Sequence, residues 1–189
     1  MEKDGFCFKI IIIGDMSVGK TQILISYNDK FKEKIKPTVA IDFIQKKIEN
    51  ENEVISFQIW DTAGEERYKS IIRGYYKNSN GAFIVYDITN KKSFENIDNW
   101  FDELDKNTEI MLIGNKKDLI ERKISYEEGK SKAMKYKIDF YEVSAKTGEN
   151  INKIFSILFK KVYQKYKENQ IDDYIEIEHN KKYVITECC

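Results

Sequence analysis

The chain has 189 residues, 41% of them hydrophobic and 34% charged, with 32 basic side chains balancing 32 acidic ones. That length suits one domain with a substantial core, and zero net charge excludes a nucleic-acid binder held by bulk electrostatics. Three cysteines, two of them the last residues, exclude a disulfide framework and fit a reducing, cytosolic compartment.

Met1 to Gly5 carries no basic region ahead of a long apolar core, and Ile10 to Ile13 is too short for a secretory signal or a bilayer span. The first predicted element is Phe6 to Ile13, an apolar run broken only by Lys9 and closed by Gly14, as in a buried parallel strand. Gly14-Asp15-Met16-Ser17-Val18-Gly19-Lys20-Thr21 then fits G-x-x-x-x-G-K-[ST] between a strand and a helix. Its glycines let backbone N–H groups turn toward an anion, and the helix N-terminus adds partial positive charge. Lys20 is expected to neutralise β- and γ-phosphates, and the Thr21 hydroxyl to coordinate Mg²⁺. Asp15 to Gln22 is thus the expected phosphate-binding stretch, although this loop alone does not separate ATP from GTP.

Ile23, Leu24 and Tyr27 recur at helical spacing, and the charged stretch 29–38 ends in Lys36-Pro37-Thr38, an extended loop. Ile41 to Ile48 and Val54 to Trp60 form a hairpin around a polar tip. Its second strand runs into Asp61-Thr62-Ala63-Gly64, and an Asp-x-x-Gly at a strand end suggests a phosphate and magnesium sensor. Next come a strand at Gly81–Asp87, a helix at Ser93–Lys106 opened by a Ser93 cap, and a strand at Glu109–Gly114. A helix at Ser125–Lys137 carries a capping box of Ser125 and Glu128, and Phe140–Ser144 is the last strand. Ile151, Ile154, Phe155, Leu158, Phe159 and Val162 share one face of a final helix, and the periodicity fades after Asn169. The expectation is an α/β fold, a doubly wound, mostly parallel six-stranded sheet with helices on both faces. Residues 1–169 would be the domain and 170–189 a flexible tail.

Two further loops lie at the same end of the sheet. In Asn115-Lys116-Lys117-Asp118 the Asp118 carboxylate can accept hydrogens from N1–H and the exocyclic amine of guanine, an edge adenine lacks. Asn115 could tie this loop to the phosphate loop, and the Lys116 stem could cover the base. In Ser144-Ala145-Lys146 the Ala145 N–H can reach guanine O6, and Lys146 can pack on the base.

Together these loops resemble a small GTPase of the Ras superfamily, over about residues 6 to 166. The resemblance implies that Thr38 closes over the γ-phosphate and joins Thr21 and Asp61 on Mg²⁺, that Phe31 stacks near the base, and that the Gly64 N–H holds the γ-phosphate. Loss of that phosphate would release both segments, the switch of the family. Val39 to Phe43, Glu66-Arg67-Tyr68, Tyr75 to Ser79 and the terminal Cys188-Cys189 resemble the Rab branch. That branch implies a membrane-anchored switch in vesicle traffic, with both cysteines geranylgeranylated through an escort protein. Two lipids are also what stable anchoring requires. It implies further an exchange factor, an activating protein, a dissociation inhibitor and effectors that read Ile41, Phe43, Trp60 and Tyr75 on a monomer, without nucleic acid. The tail holds Asp172, Asp173, Glu176, Glu178 and Glu187 against Lys181 and Lys182, the wrong sign for attraction to an anionic leaflet. Ile175-Glu176-Ile177 resembles the motif that Rab tails offer to the escort protein.

The chain departs from the resembled pattern at four places. Glu65 stands where a glutamine usually orients the attacking water, among the residues (Lys20, Thr38, Gly64) to which the resemblance gives the chemistry. A carboxylate keeps the acceptor and loses the donor. Ionised 4 Å from a phosphate charge it would interact by ~4 kcal/mol at an effective dielectric of 20. Met16 is bulkier than usual, Ala40 replaces a glycine, and the stretch before Phe31 is one residue shorter. A GTP-loaded scaffold with negligible turnover, an ATP-using P-loop enzyme and a Ras-like switch without a membrane role are the rival readings.

Overall fold

Alternation along the strands decides the architecture. The computed structural model describes residues 6–28, 42–50, 53–61, 74 and 76–185; of residues 42, 49, 50 and 171–185 it describes the backbone alone. Its strands are β1 (Cys7–Ile13), β2 (Asp42–Asn50), β3 (Glu53–Asp61), β4 (Gly81–Asp87), β5 (Glu109–Asn115) and β6 (Asp139–Glu142). They form one six-stranded sheet in the order β2-β3-β1-β4-β5-β6. Only β2 runs antiparallel to its neighbour. In β1, Ile10 and Ile12 enter one core while Ile11 and Ile13 enter the other. β4 divides in the same way, with Phe83 and Val85 on one face and Ala82, Ile84 and Tyr86 on the opposite one. Burial on both faces is why these strands read as continuous apolar runs.

Among the described residues the helical elements are α1 (Lys20–Asn28), α2 (Lys91–Glu95), α3 (Ile97–Phe101), α4 (Tyr126–Tyr136) and α5 (Ile151–Ile185). α1 and α5 cover the first core with Ile23, Leu24 and the six apolar residues expected on the face of α5. Tyr27 stacks on Phe155 with ring centroids 3.9 Å apart. α3 and α4 cover the second core with Ile97, Trp100 and Ala133. The fold expected from the sequence is the fold observed.

Element boundaries needed correction in places. The single helix expected over Ser93–Lys106 is two short helices, α2 and α3, interrupted at Asn96 and ended by Asp102. The cap is Asn90, whose side chain accepts from the N–H groups of Lys92 and Ser93. Ser93 is buried one turn inside, where its hydroxyl donates to Asn90 O at 2.8 Å and accepts from the Asp87 N–H at 3.1 Å. Asparagine caps as well as serine does, and it stands at the position where the chain turns in. The capping box at α4 is present as expected, with Ser125 and Glu128 each bonding the other's backbone. The helical backbone of α5 continues past Asn169 to Ile185. No glycine or proline follows Gly148 to stop it.

Candidate nucleotide-binding site

Three described loops, after β1, β5 and β6, meet with Asp61 at the C-terminal end of β3 along one edge of the sheet. β1 pairs in parallel with β3, placing Ile12 opposite Asp61, so the phosphate-loop strand and the Asp61 strand end side by side. Gly14 and Gly19 have φ of +143° and +96°. A Cβ at Gly14 would lie 2.2 Å from Val85 O, and one at Gly19 would lie 2.4 Å from Asn115 Nδ2. The glycines are therefore required both by conformation and by close approach.

Lys20 is only 5% exposed. Its Nζ donates to Gly14 O and Asp15 O, both at 2.8 Å. Burial pushes its pKa down to about 8, opposed in part by the charges of Asp61 and Asp15. A buried ammonium held by main-chain oxygens is suited to an anionic ligand that would restore its charge preference. Beside it the Thr21 hydroxyl donates to Asp61 Oδ2 at 2.5 Å, and Asp61 is buried. A hydroxyl and a carboxylate are hard oxygen donors that fit Mg²⁺. Among the described residues no group of three His, Cys, Asp or Glu side chains stands ready for a metal. A cation here would complete its shell with phosphate and water, the usual arrangement for Mg²⁺. Val18 belongs to the first core, Gln22 is half-buried, and Met16 and Ser17 are exposed at the loop's surface.

Asn115, buried at the end of β5, joins three loops. Its Nδ2 donates to Val18 O at 2.9 Å, and its Oδ1 accepts from the Ala145 N–H at 3.2 Å. The tie to the phosphate loop expected from the sequence is present. The Ala145 N–H, expected to face guanine O6, here serves Asn115. Ser144 Oγ donates to Asp118 Oδ1 at 2.6 Å, linking the two base-side loops. Lys116 sits in the left-handed region, φ 69°, and its Nζ lies 2.6 Å from Asp87 Oδ2. Its head group is anchored, leaving the stem as the part available to a base. Lys146 is exposed.

Phe43 and Trp60 face each other across β2 and β3 as a stacked pair, centroids 5.0 Å apart. Phe43 is 49% exposed, whereas Trp60 also packs against the second core. Phe31, Thr38, Ile41, Gly64, Glu65, Tyr75, Cys188 and Cys189 lie outside the described residues. Ile175, Glu176 and Ile177 lie where the backbone alone is described.

Sequence reasoning missed three supports of this site. Asp15 is bonded by Asn96 and Trp100, Lys116 is held by Asp87, and Arg122 pairs with Glu142. Each joins elements far apart in the chain, and no local pattern announces such a pair.

The sheet order, the strand-to-helix loop at Gly14–Thr21 and the base-side loops define a P-loop G domain. The Ras family model matches residues 9–164. The chain is 43% identical to Ras-related protein Rab-11C of Dictyostelium discoideum, covering 86% of this chain and 75% of that one. It is 38% identical to Ras-related protein SEC4 of Candida albicans, covering 86% and 80%. Against Ras-related protein Rab-13 of Rattus norvegicus the identity is 41%, covering 84% and 81%. The chain belongs to the Ras family, in its Rab branch, and is a small GTPase that hydrolyses GTP.

Gly19→Ala tests the phosphate loop directly. A side chain at φ +96° against Asn115 Nδ2 strains the loop by about 1–3 kcal/mol. GDP should then bind roughly tenfold or more weakly, measured by calorimetric titration of the nucleotide-free protein.

Proposed function

We propose that this GTPase is a membrane-anchored switch of vesicle traffic, cycling between GDP and GTP on the cytosolic face of an intracellular membrane. The observation that carries the reading is buried Lys20 beside the Thr21–Asp61 pair, tied through Asn115 to Ser144 and Asp118. In this reading Asp15 to Gln22 and Lys20 take the phosphates. Asn115, Lys116, Asp118, Ser144, Ala145, Lys146 and Phe31 take the guanosine. Thr21, Asp61 and Thr38 hold Mg²⁺, which neutralises charge on the phosphate oxygens when bound. Lys20 neutralises the γ-phosphoryl group, Gly64 and Thr38 orient it, and Glu65 positions the water that attacks in line. Catalysis is then positioning plus preorganised electrostatics.

Residues 1–169 act as the G domain in this proposal, and 170–189 as a tail bearing lipids on Cys188 and Cys189. Among the described residues no helix is long and apolar enough to cross a membrane. Two lipids are what stable anchoring requires physically. Rab-family proteins interact with regulators and effectors. Here an exchange factor, an activating protein, a dissociation inhibitor and an escort protein are proposed, with effectors on Ile41, Phe43, Trp60 and Tyr75.

One observation favours a second reading, a long-lived holder of GTP. Met16 is 59% exposed in the phosphate loop, and in this reading its bulk would meet groups that approach the γ-phosphate. Single-turnover hydrolysis of preloaded GTP separates the two, using the full chain, Glu65→Gln and Met16→Ser, with and without a Rab-directed activating protein. The switch reading expects slow unaided turnover that the activator accelerates. GTP that survives in the wild type with activator present, yet is cleaved in the variants, identifies the holder.

A further inference from the structure

The residue after Gly14 in the phosphate loop is an aspartate, an odd neighbour for a polyphosphate. Both of its carboxylate oxygens are occupied. Asn96 Nδ2 donates to Asp15 Oδ2 at 2.7 Å, and the Trp100 indole Nε1–H donates to Asp15 Oδ1 at 2.8 Å. Asn96 sits at the break between α2 and α3, and Trp100 lies four residues further on, bonding Asn96 O through its own N–H. That spacing puts both donors on one side of the helical turn. Trp100 is 6% exposed, and its ring meets Tyr76 edge-on at 6.5 Å, which seats the indole.

We propose that Asn96 and Trp100 are positioning residues for nucleotide binding, holding the phosphate loop by its Asp15 carboxylate and keeping that charge off the phosphates. The inference rests on the nucleotide-binding reading above. The division of labour in the loop supports it. Lys20 bonds the main-chain oxygens of Gly14 and Asp15, while the Asp15 side chain is taken by two neutral donors, Asn96 at the α2–α3 break and Trp100 in α3. Neutral donors fix the carboxylate without cancelling the positive charge that the phosphates need. With those bonds removed, the carboxylate is free to turn toward Lys20 and compete with the nucleotide for its ammonium.

The test uses the full chain and release of a fluorescent GDP analogue. Trp100→Phe keeps the ring and loses the indole N–H, and Asn96→Leu removes the amide. Each should speed release by about tenfold, as expected for losing a hydrogen bond to a charged group. In an Asp15→Ala background the same substitutions should change release by less than about twofold, because their effect passes through the carboxylate. Unchanged release in the single variants, or an equal acceleration with and without Asp15, overturns the proposal. A second readout needs no nucleotide. The chain has two tryptophans, so in a Trp60→Phe background the emission comes from Trp100 alone. Asp15→Ala should shift that emission, and an unshifted spectrum overturns the clamp. If the wild type binds no GDP while the emission still shifts, the nucleotide-binding reading fails, the role in binding falls with it, and the clamp stands only as a contact.

Discussion

Asp118→Asn should exchange guanine for xanthine. The carboxylate is proposed to accept hydrogens from two neighbouring donors on guanine. An amide there has one acceptor and adds a donor, which meets the guanine amine head-on. Ser144 sharpens the effect. Its hydroxyl already donates to Asp118 Oδ1 at 2.6 Å, so the amide oxygen of the variant is drawn toward Ser144 and its NH₂ is turned outward. Xanthine carries a carbonyl where guanine carries the amine, and that carbonyl accepts from the new NH₂. A site built around polar partners rejects the mismatched ligand by about 10⁴-fold. GDP affinity should fall by about that factor and xanthosine diphosphate should gain, measured as two competition titrations against the same labelled nucleotide. An equal loss for both nucleotides would mean that Asp118 supports the loop and does not read the base.

Much of this site was legible because its elements are local. The phosphate loop lies within residues 14–21, and the base-side loops are short runs directly after strands. Each run carries its own backbone requirement, such as the φ of +96° at Gly19. The strands were legible because Ile10 to Ile13 and Gly81 to Asp87 are buried on both faces. The α2–α3 region was less so. Ser93 reads as a cap in the sequence, but its buried hydroxyl is used between Asp87 and Asn90, and Asn90 caps the helix start. The Ala145 N–H, expected at the base from its position, bonds Asn115 Oδ1 here, a contact between loops that no local pattern announces. Side chains that reach across the sheet, such as Trp100 to Asp15, depend on where whole elements dock. A single sequence carries no periodic signal for that.

The largest stability loss expected from one polar substitution is at Arg122. Its Nη1 and Nη2 bond Glu142 Oε1 and Oε2 at 2.6 and 2.9 Å, and Nη1 also donates to Ile124 O at 2.9 Å. The Glu142 side chain is 4% exposed and that of Arg122 32%. Glu142 raises the already high pKa of Arg122, chiefly through their hydrogen bonds, so the guanidinium stays charged throughout the useful pH range. Arg122→Met therefore strands a carboxylate at the end of β6, beside the buried Tyr86 ring. Breaking a fully buried pair costs about 3–5 kcal/mol, and the partial exposure of Arg122 lowers the expectation to about 2–3 kcal/mol. For a chain of this size that is a drop in Tm of about 4–12 °C. Arg122→Met/Glu142→Leu removes the stranded charge and should recover most of that loss. GDP release supplies a different answer. Arg122 lies four residues after Asp118 and Glu142 two before Ser144, so the pair braces both base-side loops from behind. The double variant should be nearly as stable as the wild type and still release GDP faster. Recovery of both properties together would assign the pair to the core alone, whereas recovery of stability without retention of GDP would make it part of how the base is held.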